Sequence, residues 1–243
     1  MTIIPLTPSG LRLALAQGWA TASATRGVSL AYAAIFTAAG GIIMGILLFQ
    51  GLTPFVVAAA GAFMLIGPAI LAGFFGIAAA HEAGKPLGLA AIVSGFRDAA
   101  GVVWALALVC ALLFMIFLTD AAILYSYLIG GTPVWLTDLL PSSAGVVSFL
   151  KWGAVSGAVV AALLFSVSAF SVPLLCERRT GLVDAVVTSV RVVFSSFLPA
   201  MLWAVLLSTV IIGSVLLLPL LPLTLPWLAY ASRALYRQAL PND

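Results

Sequence analysis

GAFMLIGPAILAGFFGIAAAHE, residues 61–82, decides the class of fold. From Gly61 to Ala80 it carries no charge, and it stops at His81 and Glu82. A half-buried strand would alternate polar and apolar residues, and a soluble amphipathic helix would keep a wet face. This stretch does neither, and a continuous apolar run of about 20 residues is long enough to cross a bilayer as a helix. The rest of the chain has the same character. Apolar residues make up 64%, charged residues 7%, and the mean hydropathy is +1.26. A soluble domain carries roughly 25% charged residues to cover its surface, so this chain must face lipid. Its runs are continuous, whereas a membrane barrel is built from alternating segments of about ten residues. The fold class is therefore all-α, a polytopic membrane helical bundle forming a single integral membrane domain over 1–243.

Six spans are predicted, near 27–50, 54–79, 99–125, 148–174, 197–217 and 222–238. The last pair is the tightest fit, with the turn supplied by LPLLPLTLP at 218–226, where Pro219 and Pro222 cannot continue a regular ladder. The competing arrangement is five spans with a re-entrant segment. Charge favours six. Both termini and the 80–98 and 175–196 loops then share one side with Arg12, Arg26, Lys85, Arg97, Arg178, Arg179, Arg191, Arg233 and Arg237. Lys151 alone stands opposite. Basic loops stay in the cytoplasm, so both termini are expected there. The net charge of +3 is accounted for by topology and calls for no nucleic acid; the bilayer itself is the expected partner. Met1 to Gly10 shows no basic n-region or cleavage signal, so the first span is expected to be retained. Trp104 and Trp203 on the inner side, with Tyr125, Tyr127, Trp135 and Trp152 on the outer, are read as headgroup-level anchors.

Three stretches resemble one another: ALAQGWATA (14–22), AIVSGFRDA (91–99) and AVVTSVRVV (185–193). Each precedes a pair of spans. They suggest a unit of interfacial helix plus helical hairpin used three times, over 9–80, 86–176 and 181–240. Parallel repeats of this kind build some transporters around an axis along the membrane normal. The second span of each unit holds a proline, Pro68, Pro173 or Pro226, and each is expected to bend its helix. The first interfacial helix places Leu11, Leu15 and Trp19 on one stripe, suited to the headgroup plane. Gly61, Gly67, Gly73 and Gly76, with the G-x-x-x-G of Gly153 and Gly157, read as close-packing faces.

Ionisable groups inside a membrane are the default functional candidates, and few occur. Asp120 and Lys151 are expected together at the outer interface, paired or each facing water. The densest charge is Glu177, Arg178 and Arg179, read as the cytoplasmic exit of the fourth span. If it does more, its expected partners are Asp184 and Arg191, beside the Glu82–Lys85–Arg97 loop. His81, the one histidine, reads as a polar helix end. Cys110 and Cys176 differ in depth, which argues against a disulfide. No P-loop, G-x-S-x-G, H-E-x-x-H or paired carboxylates occur, so no catalytic residue, cofactor or metal set is indicated.

GAFMLIGPAILAGFFGIAAAHE, FSVPLLCERRTGLVDAVVTSVR, LPWLAYASRALYR and the pair Gly18–Trp19 together resemble an uncharacterised bacterial integral membrane family, domain of unknown function 2189. The resemblance implies a multi-spanning protein of the bacterial inner membrane with no assigned activity. Some members carry the label of a cytochrome c oxidase subunit. The family's last segment has a Gly-His and a second His four residues on; here those positions hold Ala229, Tyr230 and Ala234, while the Tyr-Arg near the terminus is present as Tyr236 and Arg237. The sequence thus leads first to a non-catalytic accessory or scaffold subunit of a membrane complex. The alternative is a channel or carrier for a small solute along a pseudo-threefold axis.

Overall fold

The computed structural model describes residues 3–52, 55–99, 101–130 and 144–241. The expectation on Trp135 falls outside the described residues, as does the packing around Gly61, whose backbone lies in α3. The described residues form ten α-helices in chain order: α1 Pro8–Ala24, α2 Arg26–Phe49, α3 Phe55–Glu82, α4 Leu89–Asp98, α5 Gly101–Ile129, α6 Ala144–Ser168, α7 Ser171–Cys176, α8 Leu182–Ser195, α9 Phe197–Leu216 and α10 Leu221–Ala239. Among the described residues four segments are long and apolar enough to cross a membrane: Arg26–Phe49, Val103–Ile129, Gly145–Cys176 and Phe197–Val215.

Helix boundaries follow local chemistry. Thr7 caps α1, its hydroxyl accepting from Gly10 N at 3.1 Å, and Pro8 occupies the first turn, where its missing N–H costs nothing. The turn between α9 and α10 is the single 3₁₀ turn Leu218–Leu220, centred on Pro219. Pro68 and Pro226 both lie inside continuous helices. Pro173 behaves differently from the expected bend. The helix stops at Ser168 and restarts as α7 at Ser171, two residues before the proline. The reason is the missing amide of Pro173, which frees the carbonyl four residues earlier.

Ser189 of α8 fills that break. Its hydroxyl accepts from Phe170 N at 3.2 Å and donates to the Ser166 carbonyl at 2.8 Å. Ser189 is fully buried, so both bonds satisfy backbone groups that water cannot reach.

The tightest helix contacts use residues too small to hold the backbones apart. A methyl group added at Gly76 would stand 2.3 Å from the Ala91 carbonyl oxygen, and one at Gly95 would stand 2.2 Å from that of Ala72. Gly18 of α1 backs onto Ala231 of α10 in the same way, at 2.6 Å from its amide. Of the other packing glycines expected, Gly73 lies against the ring of Tyr32 and Gly157 near Phe117, but Gly67 and Gly153 meet nothing within 4 Å among the described residues. Among the described residues the G-x-x-x-G of α6 is therefore only half used.

Burial is uneven. The completely buried large side chains, among them Tyr236, Leu174, Leu175, Leu235 and Leu240, gather where α1, α4 and α8 meet the ends of α3, α7 and α10. Farther along the long helices, Ile35, Ile42, Leu108, Leu112, Ile116 and Val159 are exposed. In lipid such residues need no protein partner, since acyl chains are as apolar as leucine.

Candidate functional site

Glu82, Glu177, Arg233 and Arg237 converge at the packed end of the bundle, from three helices distant in sequence. Glu82 is the last residue of α3, Glu177 follows α7, and Arg233 and Arg237 lie one turn apart on α10. Arg233 donates to both Glu82 carboxylate oxygens, Nη1 to Oε1 at 2.6 Å and Nη2 to Oε2 at 3.1 Å. Arg237 bridges the two acids, reaching Glu82 at 3.0 Å through Nη1 and Glu177 at 3.4 Å through Nη2. Arg233 Nε is 3.9 Å from Glu177, and the Tyr236 hydroxyl donates to the same carboxylate at 3.1 Å. The Arg233 side chain is 9% exposed, against 47% for Glu82 and 44% for Arg237. A cation that deep is stable only with its counter-charge in place. Partial burial pushes the Glu82 carboxyl up, but the Arg233 hydrogen bond and the charges of Arg233 and Arg237 outweigh it and hold it below the usual carboxylate range.

Arg178 and Arg179 act on helix ends rather than on the acids. Arg178 N donates to Leu175 O and Arg179 N to Leu174 O, closing α7 with a Schellman pattern. The pattern needs a left-handed residue, and Arg178 adopts φ +51°. The end of α3 is closed identically, by Gly84 N to His81 O and Lys85 N to Ala80 O, with Gly84 at φ +63°. An arginine in the glycine position costs roughly 1–2 kcal/mol. Its side chain offsets that cost by donating from Nε to the Asp98 carbonyl and from Nη2 to the Arg97 carbonyl, both at 2.8 Å, which caps α4. Arg179 closes α10, donating to the Leu240 and Pro241 carbonyls at 2.7 and 2.9 Å and to the Tyr236 hydroxyl at 3.0 Å.

The expected partners of this knot need correction. Asp184 and Arg191 are exposed on α8 and form no ion pair among the described residues. Asp184 lies in the first turn of α8, where its charge suits the helix dipole. The partners that the linear sequence did not reveal are Arg233, Arg237 and Tyr236. Their spacing puts both arginines on one face of α10, but α3 and α7 meet that face only through tertiary packing. Arg97 participates through its carbonyl alone. Asp120 and Lys151 do not pair. Lys151 is exposed, and one carboxylate oxygen of Asp120 is buried without a hydrogen-bond partner. The helix runs nine residues past Asp120 to Ile129, about 14 Å, so this residue sits below the end of α5.

Above the charged cluster lies an apolar cavity of about 130 Å³. Pro68 and Leu71 of α3, Ala169 and Pro173 at the α6–α7 break, Trp203 of α9 and Leu225 of α10 line it. Pro226 faces elsewhere, toward Trp19 and Arg26. Beside the ion pairs is a larger polar cleft of about 480 Å³ between α1, the end of α3 and α10. Cys110 and Cys176 are both free thiols. Among the described residues no group of three His, Cys, Asp or Glu side chains could hold a metal ion.

No curated protein and no solved structure matches the chain. Residues 55–177, from the start of α3 to Glu177, match the family described as "Predicted integral membrane protein (DUF2189)", and the chain belongs to that family of membrane proteins of unknown function.

Proposed function

We propose that the chain is a non-catalytic, six-span inner-membrane protein that binds a small apolar molecule between its three helical hairpins. The apolar cavity carries this reading. It is lined by α3, the α6–α7 break and α10, the second long helix of each hairpin, and its wall is hydrocarbon except at a few small polar residues such as Ser168 and Ser232. An apolar cavity of this order stays dry and takes up apolar guests.

The fifth and sixth spans are α3 and α10. At 28 residues α3 measures about 42 Å, and at 19 residues α10 measures about 28 Å. The repeats 9–80, 86–176 and 181–240 draw support from the order of helices, a short one before two long ones in each unit. They draw more from three matched positions. Gly18, Gly95 and Ser189 align in sequence, and each is buried against the second long helix of another unit: α1 on α10, α4 on α3, α8 on the α6–α7 break. With an even number of spans per unit, both termini and the charged cluster lie on the cytoplasmic side. The ion pairs then tie together the inner ends of the helices that line the cavity, which favours a closed binding site over an open pore. A scaffold role would instead need a protein cover over exposed faces such as Val183, Val187 and Phe194 of α8.

The test is a brominated guest. Trp203 lines the cavity and is 2% exposed. A variant keeping Trp203 as its single tryptophan, in nanodiscs, should be quenched saturably by bromobenzene. Ala169→Phe, which fills the cavity, should abolish the saturable part. Quenching that rises linearly with probe and ignores Ala169→Phe would sink the binding reading. Stoichiometric co-purification of another subunit would then point to the scaffold.

A further inference from the structure

We infer that the polar cleft between α1, the end of α3 and α10 is an oxyanion site, built for a phosphate group. It is distinct from the apolar cavity and does not depend on it. Its walls are Gln17 and Thr21 of α1, Glu82 of α3, and Arg233, Arg237 and Gln238 of α10, with small alanines between them.

Three observations point to an anion. The first is an unsatisfied donor. Gln238 Nε2 is buried and has no hydrogen-bond partner. The side-chain oxygen of the same residue lies against Gly10, where an added methyl group would come within 3.0 Å of it. A buried amide N–H without an acceptor costs about 1–3 kcal/mol, and turning the amide toward the cleft that Gln238 lines would bring it to an oxyanion there. The second is the division of labour between the arginines. Arg233 is committed to Glu82 by two short bonds and is nearly fully buried. Arg237 is half exposed, and its 3.4 Å contact with Glu177 is the longest hydrogen bond in the cluster. Its guanidinium can turn from Glu177 to an incoming anion without leaving Arg233 unpaired. The third is charge. The charged residues that line the cleft itself are Arg233 and Arg237 against Glu82, two positive groups against one negative.

The chemistry is that of a planar fork and neutral donors around a tetrahedral oxyanion. Arg237 presents parallel N–H groups that fit two phosphate oxygens. Gln238 Nε2 and the Gln17 side-chain amide add uncharged donors. Glu82 would repel an anion, but Arg233 already neutralises it. The cleft is large enough for a phosphate with a substituent, so a soluble phosphate ester and a phospholipid headgroup share the required chemistry.

The experiment uses the full chain in phosphatidylcholine nanodiscs. Its melting midpoint is followed with sodium phosphate against sodium chloride at matched ionic strength. A parallel series replaces part of the phosphatidylcholine with phosphatidic acid in chloride buffer. The expected result is a saturable rise in midpoint in at least one series. Arg237→Gln and the milder Gln238→Ala should weaken the apparent affinity about tenfold or more, and Arg191→Gln on exposed α8 should leave it unchanged. A rise with free phosphate identifies a soluble anion; a rise only with phosphatidic acid identifies a lipid headgroup. Either supports the site. No rise in either series, or a rise that Gln238→Ala and Arg237→Gln share in full, overturns it.

Discussion

Glu82 and Arg233, 151 residues apart in the chain, meet in a two-bonded ion pair at 2.6 and 3.1 Å. The pair joins the end of α3 to the middle of α10, and Arg237 extends it to Glu177 beyond α7. Because Arg233 is nearly fully buried, removing its counter-charge is more damaging than removing the pair. Glu82→Gln should therefore destabilise the protein by about 1–2 kcal/mol, less than a fully buried pair because Glu82 is half exposed. The double variant Glu82→Gln, Arg233→Met should recover much of the loss. Melting in mild detergent reads both; equal loss in single and double variants would show that the pair is not coupled.

The same pair sets a pH dependence. The folded-state pKa of Glu82 lies below its ordinary value, so its stabilisation is fully present above the unfolded carboxylate value of about 4.3. It is lost as pH falls through the lower folded value. The midpoint should stay flat from pH 8 to 6 and drop on further acidification. Glu82→Gln should flatten that drop while lowering the plateau. A drop of unchanged size in the variant would assign the acid sensitivity to other groups.

How much of this was legible in the sequence follows from the range of the forces involved. Membrane class and long helices depend on runs of neighbouring residues, so stretches such as 61–82 announce them directly. That the stretches 14–22, 91–99 and 185–193 fall on helices, α1, α4 and α8, was legible for the same reason. The charge knot and the neighbouring Glu82 loop are legible in the sequence, but the expected partners Asp184 and Arg191 are near only along the chain. Charges pair through space, and the helix that reaches Glu177 is α10. Arg178 could not be recognised as a helix cap either, since nothing local says that an arginine will take the left-handed conformation that Gly84 takes at the end of α3. Asp120 and Lys151, expected at one level and either paired or each facing water, form no pair, because tertiary packing sets which way each side chain turns.

The α3–α4 crossing predicts a sharp contrast among glycines. Gly95→Val would drive a side chain into the Ala72 carbonyl, whose oxygen is 2.2 Å from the position of the first added carbon. Backbone cannot yield as a flexible side chain can, so the helices must separate, at a cost of about 3 kcal/mol or more. Gly27→Ala and Gly153→Ala meet nothing within 4 Å among the described residues and should be neutral or raise stability by about 0.5–1 kcal/mol through helix propensity. Expression and melting of the three variants check this; tolerance of Gly95→Val would mean that α4 is not seated on α3.

Ser189 offers a test of the α6–α7 break. Ser189→Ala removes a donor to Ser166 and an acceptor from Phe170 together, leaving two buried backbone groups unpaired. The expected loss is about 1–3 kcal/mol. Restoring an amide at the break, Pro173→Ala, lets the helix run through and satisfies part of the same backbone internally. Ser189→Ala should therefore cost less in the Pro173→Ala background than alone, and additive losses in melting would separate the two.

The last prediction separates the two roles of Arg178. Its backbone supplies the left-handed residue that ends α7, and its side chain caps α4 through the carbonyls of Arg97 and Asp98. Arg178→Gly keeps the backbone role and loses the cap; Arg178→Ala loses the cap and retains the strain. If both roles contribute, Ala should be less stable than Gly by about 1 kcal/mol, and both should fall below the parent. If charge at this loop serves only to hold it in the cytoplasm, Ala and Gly would behave alike, and Arg178→Lys would match the parent. Lysine keeps the charge but cannot reproduce the forked contact with two carbonyls, so its melting midpoint should fall with unaltered topology. Accessibility of a cysteine placed at Thr180 to a membrane-impermeant maleimide reads the topology in the same four proteins.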